Sequence, residues 1–564
     1  MNYLERYDFW CNADLPDDVK AELTAIQDDI EELKGRFGSE LQFGTAGMRG
    51  IMGAGSNRLN RYTVRRAAQG MAEWLSVTDL PQRAAIGYDS RHNSQLFAEV
   101  CAVAFAEKGI QTYLFDRLAP TPMLSFAVRE LGCGCGIVIS ASHNAGAYNG
   151  VKCYGPDGCQ MTDEPAAIVT ERIGTIPYFV PETKCFEQFV QESLICYITQ
   201  DLWEKYYDTV LAEAVDPDVV TKANLNIVYT PLCGTGNEPV REVLGRLGVH
   251  TVVVGCQEHP DGDFKTCEYP NPETDAALNE SYKVADRTAC DVILGTDPDC
   301  DRVAIAVPDG TGYRKLSGNE LGCLLMDYIL KARSAQKDIP EGAIVVRSIV
   351  SSPLADRIAE NYGVTMKAVL TGFKYIGGEI LKLEENGEQH KFVFGFEESC
   401  GYLKGTYARD KDAVVASMLV CEMAAALKLQ GKTILNALDD IYNTYGYYLA
   451  HVQSIELTGA DAMEKAAKMM ADLRERVPAA IGSVPVTMVR DYRASISRDI
   501  TTGDESAILL PKSNVLEFIL GRNGSVIARP SGTEPKVKFY YTAVAPTKDA
   551  AQKQLDAMML DMSK

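Results

Sequence analysis

Long apolar runs are missing from this chain of 564 residues. No stretch reaches the roughly 18 consecutive apolar residues that mark a membrane-spanning helix. The opening MNYLERYDFWCNADLP has no basic region followed by an apolar run, so no secretory leader is expected there. Positive charge is also short. Lys and Arg number 56 against 77 Asp and Glu, a formal net of −21, and such a field repels nucleic acid and anionic lipid, so neither is expected as a partner. Only six histidines occur, at positions 92, 143, 250, 259, 390 and 451, with no His-x-x-x-His pair, which removes support for a helix-borne zinc hydrolase. Sixteen cysteines are present but none has Cys-x-x-Cys spacing; their scatter favours buried, reduced thiols in a cytoplasm over a disulfide frame.

What is present reads as folded protein. A composition of 46% hydrophobic and 24% charged residues with 46 Gly and 24 Pro lies far from disordered or collagen-like chains. At roughly 150 residues per domain the length fits three to four domains. Short apolar runs alternate with amphipathic segments from residue 84 onward: 84–88, 112–115 and 136–140 read as strands around a helix at 96–109. The rhythm restarts at 225–229, 251–255 and 291–295, and again at 343–347, 366–370 and 392–395. Strand-helix alternation of this kind predicts parallel strands with crossover helices. After residue 446 the order changes to a strand, the helical GADAMEKAAKMMADLRERV, strands around 526–529 and 536–543 and a last helix. The expected division is therefore 1–208, 209–320 and 321–445, each α/β, and 446–564, α+β, with joints in 201–218, near 320 and at YNTYGYY (442–448).

Two phosphate-loop look-alikes fail on single residues. LQGKT at 429–433 has Ala426 where the nucleotide loop needs Gly, and GTGNEP at 234–239 has Pro239 where a dinucleotide fingerprint needs its third Gly. Five constellations remain. In GTDPDCDR, Asp297, Asp299 and Asp301 alternate directly after an apolar strand, and an extended chain would project all three carboxylates to one side. Oxygen-only ligands suit a hard cation; Arg302 and Pro308 stand where a calcium EF-hand needs Gly and Glu, which favours Mg²⁺. In GIVISASHNAGAYNGVKCYGPDG a strand runs into Ser140, Ser142, His143 and Asn144, with Lys152 beyond; a serine needs such activating neighbours to act as nucleophile. ARPSGTEPK offers Arg529, Ser531 and Thr533 around Gly532, the makings of a phosphate cradle. GFEESCGY brings Glu397 and Ser399 off a strand, and the three glycines of FGTAGMRG leave Arg49 on a flexible or tightly turned backbone. Each also has a plainer reading: a solvated acidic turn, a polar-capped connection, a tight turn between strands, or a loop.

Taken in order, FGTAGMRG, SASHN, GTDPDCDR, GFEES and RPSGTEPK, together with TGFK (371–374) and RDKD (409–412), resemble the α-D-phosphohexomutase superfamily, in its long phosphoglucomutase and phosphopentomutase branch. The resemblance implies three tandem mixed α/β sheet domains plus a C-terminal α+β domain around a central cleft. It implies Ser142 as carrier of the transferable phosphoryl group, with His143, Lys152 and Arg49 as the catalytic residues beside it. Asp297, Asp299 and Asp301, with an oxygen of phospho-Ser142, would bind Mg²⁺. Arg302, Thr371, Lys374, Glu397, Ser399, Lys411, Arg529, Ser531, Gly532 and Thr533 would contact substrate. Departures from the family pattern are small: Ser140 where Thr is usual, Ala145 where Pro often follows Asn, and Cys400 where Gly often follows the clamp serine.

The activity so implied is interconversion of α-D-glucose 1-phosphate and glucose 6-phosphate through a glucose 1,6-bisphosphate intermediate and activator, by a monomer or homodimer whose partners are small-molecule sugar phosphates. Phosphopentomutase, phosphomannomutase and hexose bisphosphate synthase remain open beside it, as does a non-catalytic sugar-phosphate-binding regulator. The intermediate must turn end for end, which requires that the last domain open and close, with YNTYGYY the expected hinge, or that the intermediate leave and rebind.

Overall fold

The computed structural model describes residues 1–44, 47–458, 462–531 and 536–563. The chain forms two compact units. The first comprises Met1–Ser317, Ile376–Gly395 and Ser399–Gly431; the second comprises Gly318–Tyr375, Phe396–Glu398 and Lys432–Lys564.

The first unit begins with three short helices, Tyr3–Cys11, Asp17–Ala25 and Ile30–Phe37, packed around Trp10, Leu33 and Phe37. A six-stranded sheet follows, in the order Met48–Ile51, Tyr148–Tyr154, Cys135–Ile139, Arg83–Tyr88, Gln111–Phe115, Ile195–Ile198. Its last four strands are parallel, as the alternation predicts, while Met48–Ile51 and Tyr148–Tyr154 pair antiparallel. Every residue of Cys135–Ile139 is buried, the mark of a strand covered on both faces. Helices Arg61–Ser76 and Ser94–Ala106 pack on each other and supply much of that cover. The second sheet runs Tyr313–Lys315, Val303–Pro308, Val292–Thr296, Asn226–Thr230, His250–Val253; again the core is parallel and the edge antiparallel.

Helix Ala413–Leu429 is apolar nearly all round, and residues 413–425 are all buried, which is the behaviour of a core helix. Its start is set by Asp412, whose carboxylate accepts from the backbone N–H groups of Val414 and Val415. Among the described residues no single helix is long and apolar enough to cross a membrane. All sixteen cysteines are free, eleven of them buried.

The second unit contains helix Gly318–Gln336, the parallel strands Ile344–Ser348 and Thr365–Val369 with helix Leu354–Asn361 between them, and a seven-stranded antiparallel sheet. That sheet runs Tyr447–Glu456, Lys536–Ala545, Gly524–Pro530, Leu516–Ile519, Met488–Asp491, Ile496–Asp499, Glu505–Ala507. Helices Ala462–Glu475 and Lys548–Met562 cover it through Ala466, Met470, Leu555 and Met558. The architecture is mixed α/β followed by α+β, as expected. At two supposed joints the local structure is regular. Residues 200–212 form the helix Gln200–Ala212, with Trp203, Tyr206 and Tyr207 buried. In YNTYGYY, helix Ile434–Tyr445 stops at Gly446, which takes φ +90°, and strand Tyr447–Glu456 starts at the next residue.

Candidate active site

The buried strand Cys135–Ile139 delivers the chain into a turn at Ser140. Ser142 holds φ at +51°, a left-handed conformation uncommon for a residue with a side chain. Its N–H donates to Ser140 Oγ at 2.8 Å, its Oγ donates to Asp297 Oδ2 at 2.7 Å, and His143 Nδ1 lies 3.1 Å from the same Oγ. The turn is fastened from behind by Arg91. Its guanidinium donates to the carbonyl oxygens of Ser142 at 2.6 Å, of Ala145 and Tyr148 at 2.9 Å each, and of Asn144. Asp89 pairs with Arg91 at 3.4 Å, and both side chains are wholly buried. Burial outweighs that pairing and holds the Asp89 carboxyl above its usual range.

Arg49 departs from expectation: it sits in strand Met48–Ile51, in register with Gly150, rather than on a flexible or tightly turned backbone. Gly150 permits this close approach, because a Cβ there would stand 2.6 Å from Ser140 O and 2.9 Å from Met48 O. Arg49 Nη1 donates to Asn144 Oδ1 at 3.1 Å.

The aspartates also differ from the extended chain expected for them. Residues 297–301 turn, with Cys300 at φ +53°, and Asp297 Oδ1 gathers the N–H groups of Asp301 and Arg302 at 3.1 and 3.0 Å. Those backbone donors stabilise a tight loop over an extended one. It is the loop, not strand alternation, that brings one oxygen of each of Asp297, Asp299 and Asp301 within 4.8 Å of the others, all three residues buried. Lys152 Nζ donates to Asp299 Oδ2 and, at 3.1 Å, to Asp301 Oδ2; Lys411 Nζ reaches Asp301 Oδ2 at 2.9 Å. Thr121 Oγ1 donates to Asp299 Oδ2 at 2.8 Å.

The electrostatics are strongly uneven. Burial, then the charges of Asp299 and Asp301, push Asp297 well above the usual carboxylate range. Burial acts the same way on Asp299, but Lys152 outweighs it and holds that group below its ordinary value. Burial alone would lower Lys152; Asp299 and Asp301 reverse this and keep the ammonium protonated. Burial, with Arg302 and Arg49, drives His143 well below its ordinary value, so the imidazole is neutral. Asp299 Oδ1 and Asp301 Oδ1 are buried without a hydrogen-bond donor. Buried carboxylate oxygens with no donor, in a cluster whose charges strain one member, fit a hard divalent cation.

Other sequence-derived residues separate by unit. In the first, Arg302 Nη1 pairs with Glu273 Oε1 at 3.0 Å. Cys400 O accepts from Val303 N at 3.1 Å, which sets Ser399 and its turn beside the end of the aspartate loop. In the second, Glu397 Oε1 accepts from Gly372 N at 2.7 Å, next to Thr371, whose Oγ1 is buried without a hydrogen-bond partner. Lys374 Nζ stands 5.1 Å from the Tyr375 ring centroid. Tyr540 links Glu397 and Arg529 electrostatically: burial and Glu398 raise its hydroxyl to about 12, Arg529 opposes them, and Glu397 adds a smaller push upward. Ser531 N donates to Lys536 O at 2.8 Å, closing the hairpin beyond Arg529. Gly532 and Thr533 lie outside the described residues.

Four participants escaped the sequence reading. Asp89 and Arg91 follow the strand Arg83–Tyr88 as Asp-Ser-Arg, a polar run at a strand end that carried the signal. Thr121 opens the helix Thr121–Glu130 and Glu273 lies in the turn before the helix Asp275–Ala285, neither within a distinguishing pattern.

Comparison with known proteins now gives this geometry its context. Models of phosphoglucomutase/phosphomannomutase match in order: alpha/beta/alpha domain I at residues 40–178, domain II at 204–310, domain III at 317–445 and the C-terminal domain at 485–561. A phosphoglucomutase of Staphylococcus aureus is 35% identical over 543 residues, covering 94% of this chain and 95% of that one. One of Staphylococcus haemolyticus is 37% identical, covering 89% and 90%. Among solved structures, a putative phosphomannomutase of Thermus thermophilus superposes with TM-score 0.67 at 21% identity, over 93% of this chain and 98% of that one. Parafusin, a phosphoglucomutase from Paramecium, superposes with TM-score 0.67 at 15% identity, over 93% and 95%. The fold is shared with both. The chain belongs to the phosphoglucomutase/phosphomannomutase family, and is with it a mutase, an intramolecular phosphotransferase.

Proposed function

We propose that the protein acts as a phosphoglucomutase, interconverting α-D-glucose 1-phosphate and glucose 6-phosphate by way of phospho-Ser142 and glucose 1,6-bisphosphate. The observation that carries this is the meeting of Ser142 Oγ, His143 Nδ1 and the Asp297 carboxyl within hydrogen-bonding reach, beside two ammonium groups and two donor-free carboxylate oxygens.

In this reading a sugar hydroxyl oxygen attacks the phosphorus on Ser142. The Oγ–P bond breaks as the new O–P bond forms, and the product is the bisphosphate. Phosphoryl transfer asks the protein for positioning and charge neutralisation above all. Neutral His143 takes the proton of the attacking sugar hydroxyl and passes one to Ser142 Oγ as the phosphoryl group departs, and the return transfer runs the same exchange in reverse. Lys152, held protonated, and Arg49 offset the negative charge of the group in transit. Asp297, Asp299, Asp301 and a phosphoserine oxygen would hold Mg²⁺, which when bound supplies Lewis acidity toward the phosphoryl oxygens. Arg302, Thr371, Lys374, Glu397, Ser399, Lys411, Arg529, Ser531, Gly532 and Thr533 bind the sugar and its second phosphate, and the bisphosphate turns over before the return transfer. The protein works in the cytoplasm, a placement supported by sixteen unpaired thiols. It acts there as a monomer or homodimer on small-molecule sugar phosphates, without nucleic acid or membrane partners.

The test is intact mass before and after incubation with glucose 1,6-bisphosphate, joined to turnover assays with glucose 1-phosphate, mannose 1-phosphate and ribose 1-phosphate. The wild-type chain gains one phosphoryl group and turns over glucose 1-phosphate fastest; Ser142→Ala gains none and has no mutase activity. A Ser142→Ala variant with normal turnover overturns the proposal.

A further inference from the structure

A cavity of about 550 Å³ opens in the second unit where helix Leu354–Asn361, the joint after helix Ile434–Tyr445 and the seven-stranded sheet meet. Four arginines from four separate elements line it: Arg347 on strand Ile344–Ser348, Arg357 on the helix, Arg490 on strand Met488–Asp491, and Arg522 in the turn before strand Gly524–Pro530. Only two carboxylates, Asp356 and Glu517, join them. The lining therefore carries two positive charges in excess, on a protein whose net charge is −21.

The carboxylates leave the arginines unequal. Arg347 is fully engaged, with Asp356 in bidentate contact at 2.7 and 2.8 Å and with Ser348 O and Ser351 O. Arg490 pairs with Glu517 at 3.3 Å, and Glu517 is already held by the Tyr492 hydroxyl at 2.8 Å. Arg357 pairs with Glu360 at 2.6 Å outside the cavity lining, on a side chain 56% exposed. Arg522 has no ion pair among the described residues. Arg347 and Arg490 thus form a fixed cationic floor, while Arg357, whose pair with Glu360 is solvent-exposed, and Arg522, at an exposed turn, can fold over an occupant.

The volume lies within the range of small-molecule sites, and guanidinium groups favour phosphoryl oxygens through paired donors. Ser525, also on the lining, stands four residues before Arg529 on one strand, about 13 Å away, so this cavity is separate from the distal phosphate loop. Tyr445 and Tyr448 form part of its wall and bracket Gly446, the left-handed residue between helix and strand.

We infer that this cavity binds a small molecule bearing two phosphoryl charges, gripped by Arg357 and Arg522 above Arg347 and Arg490, and that the occupant stiffens the Tyr445–Tyr448 joint. The assignment is independent of the activity proposed for Ser142.

Inorganic pyrophosphate, titrated calorimetrically without divalent cation, is the probe. The background is the full chain carrying Ser142→Ala and Arg529→Ala, which weakens anion binding at the site described above. One equivalent binds, and adding Arg357→Glu with Arg522→Glu, both exposed positions, weakens binding at least about tenfold. Amide exchange at residues 445–448 slows when pyrophosphate is present and does not slow in the charge-reversed chain. The single variants Arg357→Ala and Arg522→Ala, each folded by circular dichroism, give intermediate affinities. Absence of binding in the background chain, equal binding after charge reversal, or exchange at the joint unaffected by a bound probe overturns the inference.

Discussion

Arg91 is the residue whose loss is most informative. It touches neither the Ser142 hydroxyl nor the aspartate carboxylates, yet four carbonyl oxygens of the turn that carries Ser142 depend on its guanidinium. Replacing it with Met leaves Asp89 buried without its partner, a change worth about 3–5 kcal/mol when one member of a buried pair is removed. The turn then relaxes, and misplacing a reacting atom by about 1 Å costs roughly 100-fold in rate. The expected result is kcat down about 100-fold with little change in KM. Amide exchange over residues 142–148 should quicken in step with the local loss of stability. Asp89 already lies above its unfolded value in the native state. A raised folded value means that stability falls as pH rises beyond the unfolded carboxyl range, so the Arg91→Met penalty deepens from pH 5 to pH 8.

Two companion variants separate charge from positioning. Arg91→Lys keeps a cation beside Asp89 but presents a point donor in place of a planar fork, so it should recover stability more than turnover. Asp89→Asn combined with Arg91→Met removes the orphaned charge and should likewise recover stability while kcat stays low. An Arg91→Met protein with wild-type kcat and unchanged exchange over 142–148 would refute the clamp.

Three further outcomes follow from the same geometry. Asp299→Asn removes the carboxylate that holds Lys152 and Thr121; activity should fall at least about 100-fold and the Mg²⁺ titration of activity should shift to higher concentration, so an unchanged titration counts against the cation loop. Arg529→Ala should raise the substrate requirement about tenfold more than it lowers kcat, since one charged phosphate contact is lost; an unaltered saturation curve removes its phosphate role. Gly150→Ala places a methyl group within 3 Å of two carbonyl oxygens and should destabilise the Arg49 strand by about 1–3 kcal/mol, measured by amide exchange at residues 48–51; full protection there would contradict the register described.

The legible parts of the fold were those governed by periodicity. The strands at 84–88, 112–115 and 136–140 and the last helix appear within a few residues of the expected places, because apolar alternation and strand burial are local properties. Antiparallel edges were not legible, since Met48–Ile51 finds its partner about a hundred residues later. The aspartates were visible as a cluster, but the reason given for their convergence was mistaken: a left-handed Cys300 and the N–H groups collected by Asp297 form the loop, and neither leaves a periodic trace. Lys411 was expected among sugar or phosphate contacts; in the fold its ammonium lies against Asp301, which only tertiary structure reveals. Apart from Asp89, the groups Arg91 binds in the turn are backbone carbonyls, which have no letter in the sequence, so its clamping role was not legible there.

The division of the chain bears on how the molecule is made. Each compact unit is assembled from three separate stretches, and the first is complete only when Ser399–Gly431 is included. A nascent chain leaving the ribosome must therefore hold its N-terminal three hundred residues without the buried helix Ala413–Leu429 until about three-quarters of synthesis is over. Truncation before that helix strips a core element from the unit that contains Ser142, so fragments meant to isolate it need the late segments supplied in trans.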